Sequence, residues 1–344
     1  MRLALMSLLM MPFAVGCSSG DAEKSSSSNF WGDEGPQPDT GNDIDVDVDV
    51  DIEDTGDDIE DTGGDSGTEN VIVWEDVRHA TSVNFSGAYA NDEGLYVVTT
   101  EGQTWSYTAS SWTNIPLDVD EEDLNGLWGT GSGDSKKMVG VGGNGVIINW
   151  DGNGWDVTEN GASNFTAVDG PSIDQLIAVG GSGAWSNAGG TWTPLTSAGY
   201  KFNDVWYDGT TGVAVGDNGL VGTYLEGEWT FEDSVTDAHL YGVSATHSTD
   251  VWAVGQNGTV LHWNGTEWQQ LDIDTQANLW SVWCTAGNIA YAVGANGEAY
   301  KIEDFSAEPI PTGVSNVLYD ITGSSVGNLW AVGSRGLTLR FLGD

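Results

Sequence analysis

Residues 240–273 read LYGVSATHSTDVWAVGQNGTVLHWNGTEWQQLDI, and this stretch decides the fold. Four segments within it, LYGVSAT, DVWAVG, GTVLHW and EWQQLDI, are rich in β-branched and aromatic residues and are separated by Gly or Asn turns. Short segments of this kind read as β-strands. The pair Asn257-Gly258 between the second and third segments predicts a tight hairpin, because both central residues of such a turn need positive φ.

The unit recurs in both directions along the chain. Its hairpin signature appears as VTTEG at Val98, VGGNG at Val141, VGGSG at Val179, VGDNG at Val215, VGQNG at Val254, VGANG at Val293 and VGSRG at Val332, at intervals of 43, 38, 36, 39, 39 and 39 residues. A large apolar residue with a smaller apolar partner three positions later precedes each signature: Phe85/Ala88, Leu124/Leu127, Phe165/Val168, Phe202/Val205, Leu240/Val243, Leu279/Val282 and Leu318/Ile321. A tryptophan follows the hairpin glycine in five units, as Trp112, Trp155, Trp192, Trp229 and Trp268; the sixth unit offers only Phe305. Four strands in about 39 residues, repeated seven times, predict an all-β, seven-bladed β-propeller of four-stranded blades over residues 71–344.

The last unit stops at Asp344, before a fourth strand has room to form. The segment VIVWEDV at 71–77 carries Trp74 with an apolar residue three positions later, matching the fourth strands WTPL at Trp192 and WQQL at Trp268. We expect it to supply the missing outer strand, closing the ring by pairing the two ends of the domain and covering edges that invite aggregation.

Units of the form LxxVWxxxxxDVWAVGxxGTVxxWNGTxW resemble the neuraminidase-type (BNR) propeller repeats of many bacterial secreted lipoproteins, and are similar to the propellers of photosystem II stability and assembly factors. The resemblance covers residues 71–344 and implies the fold; on function it is unspecific. The sialidase Asp box lies between the third and fourth strands. DGNGW at Asp151, GGTW at Gly189 and NGTEW at Asn264 occupy that place without its full Ser and Asp pattern and look like degenerate relatives.

The 344 residues include 9 Lys and Arg against 52 Asp and Glu, a formal charge of −43. Past residue 70 the only bases are Arg78, Lys136, Lys137, Lys201, Lys301, Arg335 and Arg340. Nucleic-acid binding is excluded, since a phosphate backbone demands clustered Lys and Arg, and so is long-range attraction to anionic lipid.

The N-terminus gives an address. Arg2 is followed by an apolar run from Leu3 to Val15 and then by small residues, the pattern of a secretory signal peptide over residues 1–16. The run is too short to span a bilayer. Ala14-Val15-Gly16-Cys17 resembles a bacterial lipobox, with Ala14 where Leu is usual; this implies that Cys17 is acylated and becomes the new N-terminus. The plain signal-peptidase reading cuts the same bond and differs only in the lipid. Ser18 after the cysteine implies sorting to the outer membrane of a Gram-negative bacterium, on the periplasmic side or at the surface. Residues 17–70 then form a disordered acidic linker, because residues 18–70 hold 18 acids against Lys24 alone and too few apolar groups to offset chain entropy. Calcium capture by its DIDVDVDVDI run lacks the Gly and the bidentate Glu of an EF-hand loop.

Catalytic readings fare poorly. Sialidases hold their substrate carboxylate with three arginines; the domain has only three, Arg78 beside the closing strand and Arg335 and Arg340 on one hairpin of the last blade. The histidines His79, His239, His247 and His262 show no metal-ligand spacing. Cys284 reads as a small core hydrophobe. Neither a P-loop nor a GxSxG elbow is present, and no cofactor or metal is expected. Most tryptophans sit at repeat positions and belong to packing between blades, whereas Trp105, Trp185 and Trp280 do not recur and are candidate binding residues. So are Lys136 and Lys137, the only basic pair, in the longest loop between first and second strands, although a solvated loop tip is the plainer reading. The sequence therefore predicts a non-catalytic, envelope-anchored binding or scaffold module. Its partner is an unknown envelope protein or polysaccharide, besides the bilayer reached through the acyl anchor. The alternatives are a glycoside hydrolase with carboxylates at the channel mouth and an assembly factor for a membrane complex.

Overall fold

The computed structural model describes residues 74–117, 122–159, 164–195, 199–232, 236–285 and 289–343. The segments read above as signal peptide and acidic linker, with Cys17, lie outside the described residues. Among the described residues are seven four-stranded antiparallel sheets, the blades of a β-propeller. In chain order the blades start at the inner strands Phe85–Asn91, Leu124–Thr130, Phe165–Ser172, Phe202–Tyr207, Leu240–His247, Leu279–Thr285 and Leu318–Ser325. Each inner strand abuts the inner strands of both neighbouring blades, and the first abuts the seventh, so the ring is closed around an axis.

Burial follows position within the blade. The second strands, such as Asp250–Gly255 (DVWAVG) and Asn328–Gly333 (NLWAVG), are buried almost throughout, because blades pack on both of their faces. The outer strands are largely exposed. The core is accordingly divided into seven apolar layers, each shared by two adjacent blades. Trp252, Val254 and Leu271 of blade 5 meet Leu279, Val282 and Ile302 of blade 6, and Phe85, Leu95 and Val97 of blade 1 meet Trp330 and Val332 of blade 7. The paired apolar anchors seen in the sequence supply these layers, as do Trp155, Trp192 and Trp268.

The ring closes as the two ends of the domain predict. Trp74–Asp76 is the outer strand of blade 7 and pairs antiparallel with Thr338–Phe341, Trp74 opposite Phe341 and Asp76 opposite Leu339. Trp74 is buried against Phe341 with ring centroids 5.1 Å apart. The hairpin between second and third strands has the expected geometry. In blade 5 Asn257 takes φ 55° and Gly258 φ 71°, and the Thr259 N–H donates to the Gln256 carbonyl. A side chain at Gly258 would strike the Thr275 carbonyl of the loop entering blade 6.

Candidate functional site

The inner strands share one irregularity. Pairing with the second strand skips a residue after the apolar anchor in every blade, from Phe85/Gly87 in the first to Leu318/Asp320 in the last. The skipped residue is Ser86, Asn125, Thr166, Asn203, Tyr241, Trp280 and Tyr319 in turn. A bulge at a strand end re-aims the side chain it frees, and here it does so seven times around one end of the ring.

The seven bulges are of two kinds. In blades 1 to 4 the side chain is small and polar and donates to the anchor carbonyl of the next blade: Ser86 Oγ to Leu124, Asn125 Nδ2 to Phe165 at 2.7 Å, Thr166 Oγ1 to Phe202 at 3.0 Å, and Asn203 Nδ2 to Leu240 at 2.7 Å. In blades 5 to 7 it is aromatic. Tyr241 and Trp280 lie with ring centroids 4.4 Å apart at 31°, Trp280 and Tyr319 6.4 Å apart at 60°, and His239 stacks on Tyr241 at 6.4 Å. The three bulged rings are half-buried. They form an arc over nearly half of the channel mouth.

Deeper along the inner strands stand three carboxylates. Asp204 and Asp320 follow the bulge in blades 4 and 7, and Asp169 lies two positions further along in blade 3. Each accepts a backbone N–H from the next blade: Asp169 from Tyr207 at 2.7 Å, Asp204 from Val243 at 2.8 Å and Asp320 from Ala88 at 2.8 Å. Asp320 also accepts from Ser281 Oγ at 2.8 Å. They are walled in by protein but keep some contact with the channel. Burial pushes Asp204 up to about 8, helped by the charges of Asp320 and Asp169, and pushes Asp169 and Asp320 up to about 6. In the column of Asp204 and Asp320, blades 1, 2 and 5 carry Gly87, Gly126 and Gly242. A Cβ on Gly242 would come within 2.9 Å of the Ser281 Cα and the Trp280 carbonyl, so the inner strands of blades 5 and 6 nearly touch there.

Charge on the mouth's rim is predominantly acidic. Asp217, in the hairpin of blade 4, approaches His239 Nδ1 at 3.2 Å, and its charge helps hold the Tyr241 hydroxyl above its ordinary value, after burial. Beside it a recess of about 500 Å³ is lined by Tyr200, Lys201, Asp217, Asn218 and Glu232.

The structure brings one of the sequence candidates, Trp280, to this mouth, and not the others. Trp105 packs on His79 at 4.3 Å and its Nε1 donates to Gln103. Trp185 meets Phe165 edge-on in the layer between blades 2 and 3. Lys136 reaches back to blade 1, where its ammonium donates to Glu93 at 3.1 Å and Tyr96 at 2.6 Å and lies 4.3 Å from the Tyr96 ring centre. Lys137 opens the second strand of blade 2 and is half-buried. Burial pushes the Cys284 thiol up to about 12, and it contacts the Ser244 carbonyl, as suits a core residue. Of the arginines, Arg78 is paired with Asp76 and Arg340 lies over Trp330, so the three do not converge. Tyr241 and Tyr319 were not singled out by sequence reasoning. The signal was present, since aligned repeats put both in the column of Trp280.

The fold and its mouth define the chain as a seven-bladed β-propeller. No family model matches the sequence, and no curated protein does. Solved propellers match closely in shape. YCF48 from Cyanidioschyzon merolae superposes with a TM-score of 0.64 at 16% identity, over 78% of this chain and 98% of that one. A structure of YCF48 bound to D1 peptide gives 0.66 at 15% identity, over 79% and 97%, and the WD40 propeller of Doa1 gives 0.67 at 9%, over 78% and 97%. At these identities the likeness is one of fold.

Proposed function

We propose that this is a non-catalytic binding propeller that captures a segment of a partner protein at the aromatic side of its channel mouth. The observation that carries the reading is the split among the bulged residues. Four of the seven are committed to stapling one blade to the next, while three in consecutive blades present a half-exposed aromatic arc. Aromatic side chains of this kind anchor protein interfaces. The peptide-bound YCF48 structure shows that a propeller of this shape can receive a peptide.

The setting we propose is the cell envelope, with Cys17 acylated and residues 17–70 tethering the propeller to the outer membrane. The polysaccharide hydrolase is disfavoured by the use to which the axial carboxylates are put. Both oxygens of Asp204 and of Asp320 already accept backbone N–H groups.

Capture from solubilised envelopes with the full chain as bait tests the reading, with a glycan array run beside it. One protein partner at stoichiometric level is expected, lost with Trp280→Ala and Tyr319→Ala together and retained with Lys137→Ala. Glycan binding with no protein partner would move the function to polysaccharide. Replacing Cys17 by Ser should shift the chain from the membrane to the soluble fraction; retention in the membrane would remove the acyl anchor.

A further inference from the structure

We propose that the arc of Tyr241, Trp280 and Tyr319 seats a lysine or arginine side chain of the bound segment, so that the partner is recognised through a cation. The inference rests on the protein-binding reading above and names the chemistry of what is bound. Three independent features converge on it.

The first is the shape of the arc. Trp280 and Tyr319 meet at 60° with centroids 6.4 Å apart, and Tyr241 extends the Trp280 side. Faces set at an angle form the walls of a box into which an ammonium or guanidinium can insert, attracted by the ring quadrupoles. The second is the charge behind the rings. Asp320 directly follows Tyr319, and Ser281, which directly follows Trp280, donates to it. Asp204 feels the charges of both Asp320 and Asp169. A cation entering between the rings approaches Asp320, which carries its charge above about pH 6, and an anion is repelled by it. The third is the surrounding loops and hairpins, whose described residues include Glu101, Glu122, Asp123, Asp217 and Glu298 against Lys201 and Arg335. The whole chain carries −43, a field that draws cationic partners in and slows anionic ones.

Asn203 points the same way. Its amide nitrogen is taken by the carbonyl of Leu240, the residue before Tyr241, and by Asp217, while its buried oxygen has no hydrogen-bond partner. An unpaired acceptor favours a ligand that brings donors, as both cationic side chains do.

Fluorine NMR of the full chain labelled with 5-fluorotryptophan tests the proposal, the Trp280 resonance being assigned by its loss in Trp280→Phe. Three acetylated, amidated pentapeptides serve as probes, Gly-Gly-X-Gly-Gly with X lysine, norleucine or glutamate. The lysine peptide should shift the Trp280 resonance saturably, with at least tenfold tighter apparent binding than either other peptide. Its binding should weaken several-fold between low and high salt and in Asp217→Asn. Equal shifts from the norleucine peptide would overturn the cation while leaving the mouth as a protein-binding surface. No shift from any peptide would also overturn it, and the envelope capture would then decide the broader reading separately.

Discussion

At the scale of single residues, the axial aspartates make the molecule sensitive to pH. Asp204 is raised from 3.8 to about 8, and Asp169 and Asp320 to about 6, chiefly because burial disfavours the charged form. The folded state therefore holds protons that the unfolded chain has released. The stability these groups contribute is fully present below about pH 4 and is lost as pH rises, through about 6 for Asp169 and Asp320 and about 8 for Asp204. Each unit of displacement is worth about 1.4 kcal/mol, so Asp204, displaced furthest, carries the largest share. Thermal melts should give a lower Tm at pH 8.5 than at pH 5.5, with a clearly shallower slope in Asp204→Asn. Self-repulsion of the acidic surface acts in the same direction in both proteins, so equal slopes would dismiss the role given to Asp204. These aspartates were hard to read from sequence, because 34 acids in residues 71–344 hide three. For Asp204 and Asp320 the available sign was local: FNDVW and LYDIT place a carboxylate between core anchors, in the column where three other repeats carry glycine. Lys136 hid for another reason, since its partners Glu93 and Tyr96 lie about forty residues away, beyond the reach of local pattern.

Turns and bulges set the behaviour of the elements. Asn144, Asn218, Asn257 and Asn296 occupy the left-handed position of their hairpins, but blade 7 places Arg335 there at φ 56°. Arginine lacks the short polar side chain that makes this conformation tolerable for Asn. Arg335→Asn keeps the backbone donation to Asn84 and should stabilise the protein by about 0.5–1 kcal/mol, read as a Tm increase of about 1–3 °C. An unchanged or lower Tm would show that Arg335 contributes contacts worth more than its backbone costs. The hairpins were legible because Asn-Gly has one dominant structural meaning. The bulges were not, because a skipped residue leaves no fixed residue type behind: Ser, Asn, Thr, Tyr and Trp all fill the slot. Aligned repeats put the seven in one column, but only the ladder register shows that the column is a bulge, with a polar half and an aromatic half.

Over the whole molecule, stability depends on closure. Each of the seven apolar layers needs two blades, so blade 7 and blade 1 support each other only while the ring is shut. Trp74 anchors the closing strand, and the Trp112 Nε1 donation to the Val77 carbonyl at 2.8 Å holds the chain that follows it. Trp74→Ala should cost about 3–5 kcal/mol and expose the edge of Thr338–Phe341, detectable as a lower Tm together with concentration-dependent association by light scattering. A monomeric variant with an unchanged Tm would show that the ring holds without its clasp. Closure was legible from the sequence because repeat arithmetic leaves one strand missing at one end and one spare at the other.

That clasp also has a meaning in time. Trp74 and Phe341 are 267 residues apart in the chain, and at about 5–20 residues per second a ribosome makes one roughly 15–50 s after the other. Blades can form in order as they are made, but the first cannot be sealed to the last until Thr338–Phe341 has been made. A chain cut short anywhere before residue 338 keeps a bare edge on Trp74–Asp76 and lacks its partner layer. The ring thus proofreads its own closure, since only a chain made past Phe341 hides these edges from proteases and from other chains.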